Sequence, residues 1–340
     1  MDSYQLKEYI IENNKVEFIL QELGCVSIKY HNGYWTCGNP PPSDNRQAIT
    51  VYNNEFLNVI NYTKDLGTDK SDIFTLIEYI NKCNFFEAML WCCNILEIDY
   101  YHSPTFDLPE SIRITKMLMK MKSNEEEEED DTPIRVLDEK VLKYYKTPCV
   151  NDMFLKDGIS YDCQKEFFIG YDEESNRITF PIFDEINSLV SIKARLFKEE
   201  LSETDQKYIY LYKCPRNKIL FGLNKTHDYI KENGMVYISE SEKGVMQLWS
   251  HEVKNSVGIG GKKIGRRQVE MLSRLNANIC FAFDKDVDQK ELEDKANMFV
   301  DSIPIYAIID TDNILEEKQS PMDNFDKWEI LVKNNIYKIK

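Results

Sequence analysis

The stretch Ile279-Cys280-Phe281-Ala282-Phe283-Asp284-Lys285-Asp286-Val287-Asp288 decides how the chain is read. Five apolar residues read as a buried strand, and the strand ends abruptly in three carboxylates at alternate positions. Two carboxylates on one side of a strand end, roughly 6.6–7 Å apart, repel each other. A divalent cation removes that penalty, and hard oxygen ligands beside a phosphate substrate suit Mg²⁺ or Mn²⁺. Taken alone, a D-x-D after an apolar run is more often an acidic loop with helix-capping aspartates.

Working outward, the last third of the chain alternates. Residues 236–239 read as a strand ending in Glu240, 243–251 as a helix, 256–259 as a strand, 264–275 as a helix, and 303–309 as a further strand. Strands alternating with helices predict a parallel sheet covered by helices, with ligands at the carboxyl ends of the strands. Upstream, 137–145 and 150–155 have helical spacing, Ser160 caps a short helix ending near Phe168, and 178–182, 190–196 and 208–212 read as strands. Before these, 2–22 look helical, 34–37 and 48–52 look like strands joined by a proline-rich turn, and Ser71-Asp72 caps a helix followed by another at 84–96. Seven adjacent carboxylates at 125–131 repel one another and cannot be buried. They mark a solvated linker, or, as a rarer alternative, a nucleic-acid mimic.

Composition limits the function classes. The chain has 340 residues, 42% hydrophobic, enough for two or three domains with buried cores. A net charge of −16 argues against a surface that is basic throughout, but leaves room for a local basic groove with salt-sensitive binding. The nine cysteines include no C-x-x-C pair, which fits reduced, buried thiols. The amino terminus has no signal-peptide pattern and no apolar run reaches a membrane span, so a cytoplasmic protein of a bacterial or phage-infected cell is expected, with no membrane partner.

The order strand-Glu240, helix, strand-Gly258, helix, strand-Asp284-x-Asp286 resembles the TOPRIM domain of bacterial-type primases, topoisomerases and some nucleases. Ser241 replaces the glycine usual after the glutamate, and Gly258-Ile259-Gly260-Gly261 matches the intervening glycine turn. Phe154-Leu155-Lys156-Asp157-Gly158-Ile159-Ser160, Phe167-Phe168-Ile169-Gly170-Tyr171 and the run from Arg177 to Asp184 with Ala194-Arg195 resemble the RNA-polymerase domain of DnaG-type primases. Lys207-Tyr208-Ile209-Tyr210 and Lys218-Ile219-Leu220-Phe221-Gly222-Leu223 continue the series in the family's order, over about residues 137–310. The first domain resembles a remnant of the primase zinc ribbon.

The resemblance implies an α/β fold. A TOPRIM sheet at 231–325 follows a mixed α+β subdomain at 136–230, an acidic linker at 119–135 and a degenerate zinc-ribbon-like domain at 1–118, with a short helix or tail at 326–340. It implies a DNA primase that makes short RNA primers from NTPs on single-stranded DNA. Mg²⁺ or Mn²⁺ would be held by Glu240, Asp284 and Asp286, with Asp323 a further candidate. The same three acids would be catalytic, Glu240 also as a base for the attacking hydroxyl. The positions matching the family's nucleotide and template contacts are Arg195, Lys207, Arg216 and Lys218. Lys262 and Lys263, in a basic cluster with Arg266 and Arg267, track a template backbone or form an exposed helix face. A replicative helicase would bind through a non-standard surface.

Three departures stand out. Cys37 has Pro40 at the partner position of a ribbon pair, and Cys25, Cys37 and His31 have no ribbon spacing, so zinc is not expected. An acid expected four residues after Glu240 is Gly244, leaving Asp323, with Asp310 and Asp312 as compensating candidates, to complete the set. The chain stops soon after the sheet, without room for the family's helicase-binding domain, and its AT-rich residue usage suggests a phage or mobile element. A TOPRIM nuclease or nicking enzyme, or a primase-like protein that only binds DNA or a replisome, are the alternatives.

Overall fold

The computed structural model describes residues 2–42, 45–67, 71–101, 133–200, 202 and 205–340. The acidic run at 125–131 lies outside the described residues. The chain forms two compact units, Met1–Glu127 and Glu128–Lys340.

In the first unit, helices α1 (Ser3–Glu12) and α2 (Val16–Glu22) precede an antiparallel sheet. Its order is β1 (Val26–His31), β2 (Tyr34–Gly38), β3 (Ile49–Tyr52) and β4 (Val59–Asn61). Helices α3 (Ile73–Asn81) and α4 (Phe85–Ile95) follow. Strand β1 is missing from the sequence reading because Ser27 sits at φ 55° and the pairing shifts between Val26 and Lys29, which breaks the alternation. His31 lies at the hairpin turn, opposite Tyr34, whereas Val26 pairs with Gly38 at the other end. The hydrogen-bonded thiols of Cys25 and Cys37 are therefore remote from His31, which contacts Thr36 Oγ1 at 3.0 Å.

Asp72 caps α3 by accepting Thr75 N–H at 3.0 Å, and its other oxygen takes the ammonium of Lys7 at 2.7 Å. Both side chains are buried. One carboxylate thus neutralises a buried lysine and terminates a helix, tying α1 to α3.

The second unit holds two sheets. Helices α5 (Val141–Tyr144), α6 (Asp152–Lys156) and α7 (Tyr161–Glu166) lead into an antiparallel sheet of order β5 (Gly170–Asp172), β6 (Arg177–Phe183), β7 (Leu189–Leu196) and β8 (Tyr208–Tyr210). The helix expected at 137–145 is cut to one turn because Leu137 N–H bonds Leu189 O at 2.7 Å, which holds that backbone extended. Helix α8 (Leu223–Asn233) then enters the second sheet. Its elements are β9 (Met235–Ser239), α9 (Glu242–Ser250), β10 (Ser256–Gly258), α10 (Arg266–Ser273), β11 (Asn278–Phe281), α11 (Gln289–Asn297), β12 (Ile305–Ile308), α12 (Phe325–Asn334) and β13 (Ile336–Lys338). The order is β10-β9-β11-β12-β13, parallel except for β13 at the edge.

Both faces of this sheet are covered, so its central strand is apolar after Asn278. Cys280 and Ala282 pack with Leu248, Trp328 and Leu331, while Phe281 stacks on Phe283 at 5.1 Å. Each fully buried large apolar side chain here contributes roughly 1.5–3 kcal/mol. The segment between the two sheets is tied to the second where Phe221 and Gly258 exchange backbone hydrogen bonds of 2.8 and 3.0 Å. Lys193 of β7 adds an ion pair to Glu242 of α9 at 2.6 Å.

Removing Lys7 breaks a buried ion pair to Asp72. Lys7→Ala is expected to cost about 3–5 kcal/mol, read as a lower chemical-denaturation midpoint for the first unit. Lys7→Arg should recover part of the loss.

Candidate active site

Strands β9 and β11 are parallel neighbours in register, Ile238 opposite Phe281, and Ala282 N–H continues the ladder to Ile238 O at 2.9 Å. Their carboxyl ends therefore lie side by side. Glu240 is the first residue past β9, and its carboxylate accepts the backbone N–H of Asp284. Its Oε1 is buried and has no hydrogen-bond partner. Burial, and then the charge of Asp284, push Glu240 up to about 7. Burial likewise raises Asp284, followed by the charges of Asp323 and Asp286, while Lys243 and Lys262 oppose the shift.

Asp284 and Asp286 do not sit in the strand. Strand β11 ends at Phe281, and Val287 N–H closes a turn onto Asp284 O at 3.1 Å. The two-residue strand repeat therefore does not set their separation. Asp286 is exposed and pairs with Lys262 at 3.4 Å. Asp288, third of the series, caps α11 by accepting Glu291 N–H at 2.7 Å, the plainer of the two readings for that residue. Asp323 pairs with Lys243 and accepts Ser320 N–H at 3.1 Å and Gln247 Nε2 at 3.2 Å. Burial works to raise Asp323, but Lys243, Ser320 and Gln247 outweigh it and hold it below the usual carboxylate range. Asp310 accepts Ile314 and Leu315 N–H at 2.8 Å each and pairs with Lys285, so it organises its own loop. Asp312 receives Asn335 Nδ2 at 3.3 Å.

The basic candidates fall into two groups. Arg195 of β7 pairs with Asp157, and Lys207 is depressed by partial burial and then by the charges of Arg195 and Lys243. The charge of Asp323 also acts on Lys207, in the opposite sense. Arg216 and Lys218 share a single 3₁₀ turn, with the Arg216 side chain against Gly260 and Gly261. Lys262 and Lys263 are exposed in the loop before α10, and Arg267 is committed to Glu185.

Sequence reasoning missed Lys243 and Gln247. The available signal was the cap. Ser241 Oγ accepts Gly244 N–H at 3.4 Å, which starts α9 beside the strand end and puts residue 243 in its first turn. Position 244 has no room for a side chain, because a Cβ would lie 2.3 Å from Ser239 Oγ and 2.6 Å from Met322 Cε. Among the described residues no three His, Cys, Asp or Glu side chains are gathered closely enough to hold a metal ion by themselves. The unpartnered Oε1 of Glu240 beside the carboxylate of Asp284 nonetheless fits a hard cation, since each has oxygen to give and no ion-paired base.

No family model matches the chain. The SPbeta prophage-derived uncharacterized protein YorJ of Bacillus subtilis is 29% identical over 213 residues, 54% of this chain and 56% of its own length. A DNA primase of Staphylococcus epidermidis is 25% identical over 130 residues, 37% of this chain and 21% of that protein. The chain is thus similar in sequence to DNA primases, and it spans about half or less of the length of these curated relatives. The crystal structure of the Aquifex aeolicus primase (zinc binding and RNA polymerase domains) has a TM-score of 0.48 and 15% identity, covering 98% of this chain and 86% of that one. That likeness is too distant to carry weight beside the sequence relatives. Among the described residues no helix is long and apolar enough to cross a membrane.

Two outcomes follow. The folded state holds the Glu240 proton more tightly than the unfolded chain, so this group's contribution to stability is lost as pH rises from about 4.5 to about 7. Glu240→Gln removes that loss. Without divalent metal it should be about 1–3 kcal/mol more stable than the native chain at pH 8, and near equal at pH 4, in urea titrations. Gly244→Asp should lower the unfolding free energy by about 1–3 kcal/mol through overpacking rather than supply a ligand.

Proposed function

We propose that the chain is a DnaG-like DNA primase, joining NTPs into short RNA primers on a single-stranded DNA template. The single observation that carries this reading is that the parallel pairing of β9 with β11 sets the ends carrying Glu240 and Asp284 side by side, with the charges of Lys243 and Lys262 acting on Asp284. Acids that need a cation lie beside bases that suit phosphate. Similarity to curated DNA primases supports the choice of reaction class. In this reading residues 231–325 are the TOPRIM domain, 136–230 the preceding primase subdomain, and the antiparallel sheet of the first unit a ribbon-like module without zinc.

Glu240, Asp284 and Asp286 would hold Mg²⁺ or Mn²⁺, which when bound neutralises phosphate charge at the attacking and leaving oxygens. The chain's own groups do the rest. Where Glu240 is left off the ion, its carboxyl, raised to about 7 without metal, instead serves as the base for a 3′-hydroxyl near neutral pH. Arg195 and Lys207 bind nucleotide phosphates, and Asp157 keeps the guanidinium of Arg195 oriented. Arg216, Lys218, Lys262 and Lys263 bind the template backbone as point charges on an acidic body, so binding weakens steeply with salt.

Incubation with single-stranded DNA, labelled NTPs and Mg²⁺ or Mn²⁺ tests the reading. Short products that require NTPs are expected, and Asp284→Ala should reduce them at least about 100-fold, the scale of losing a principal charge-stabilising group. Shortened DNA instead would establish the nuclease alternative. DNA binding with neither product would leave a replisome-binding role.

A further inference from the structure

The charges at the strand ends divide into two kinds. Asp323 is paired with Lys243, and Asp286 with Lys262. Among the described residues Glu240 and Asp284 have no base in ion-pair contact, and Glu240 Oε1 is buried without a hydrogen-bond partner. Two uncompensated carboxylates balance one divalent ion. The two lysines are not equivalent. Lys262 is exposed on a loop, with a 3.4 Å contact. Lys243 stands in the first turn of α9, and its partner Asp323 is itself held by Ser320 N–H and by Gln247. Gln247 is 3% exposed, and the same amide donates to Asp157 O at 2.7 Å. The Lys243 ammonium is therefore fixed, through partly exposed Asp323, at the end of a hydrogen-bonded chain that starts at buried Gln247. Its charge is felt by both Asp284 and Lys207. Beside it, position 244 is closed to any side chain.

We propose that Lys243 is a built-in cation of this site, anchored on Asp323, standing in for a second divalent ion, so that the strand ends take a single ion between Glu240 and Asp284. The proposal rests on the divalent-metal reading of the site and deepens it. Lys243 is a positioning and charge-supplying residue that a chain with an acid at 244 would not need.

Counting bound Mn²⁺ on the intact chain, by the loss of the free-ion electron paramagnetic resonance signal, tests it without any catalytic assay. The native chain should bind one ion. Lys243→Ala, which frees Asp323, should bind two, and Lys243→Arg should return to one. Two ions or none on the native chain would overturn the proposal whatever the variants do. So would one ion on a folded Lys243→Ala, folding being checked by circular dichroism. If the counts come out as expected while no NTP-dependent product forms, the primase reading fails and the assignment of Lys243 stands.

Discussion

The rest of the site depends on one backbone fact, the parallel pairing of β9 with β11. That ladder brings two strand ends level, lets Asp284 N–H bond the Glu240 carboxylate, and leaves the two side-chain charges with each other for company. A shift of register by one residue would exchange the faces of β11, sending Cys280 and Ala282 to the wrong helix layer. The apolar packing of both faces therefore enforces the electrostatic strain at the tip. Hydrophobic burial holds together what Coulomb repulsion would separate.

Around this centre the second unit distributes its ion pairs by purpose. Lys193 and Glu242 fasten the antiparallel sheet to the first turn of α9, with Tyr210 Oη adding a 3.3 Å contact to the same carboxylate. Glu242 is thereby removed from the strand-end set although it lies only two residues from Glu240. Arg267 and Glu185 make a comparable fastening near α10. Both carboxylates are almost fully buried, so a missing partner would leave a costly charge, and the pairs serve to fix relative position more than to add net stability.

Much of the architecture was legible because its signals are local. The apolar run before Asp284, the caps at Asp72 and Ser160, and the alternation of strands and helices after residue 235 each act within a few residues. What escaped was set by distant partners or broken periodicity. Strand β1 hides behind a bulge at Ser27, and the stretch from Leu137 is held extended by Leu189. In the site, the identities of the acids could be read, but not their environments. That Asp286 lies in a turn with Lys262, that Asp310 is committed to its loop, and that Lys243 neutralises Asp323 are facts of tertiary contact. A motif names candidate ligands; only folding shows which of them retain charge to offer.

The central claim is that Glu240 and Asp284 share one uncompensated pocket of negative charge. Crystals soaked in Mn²⁺, with anomalous scattering measured at the manganese edge, test it directly. The account predicts a single strong peak within coordination distance of both carboxylates. A peak elsewhere with none between Glu240 and Asp284, or carboxylates turned away from each other, would contradict it.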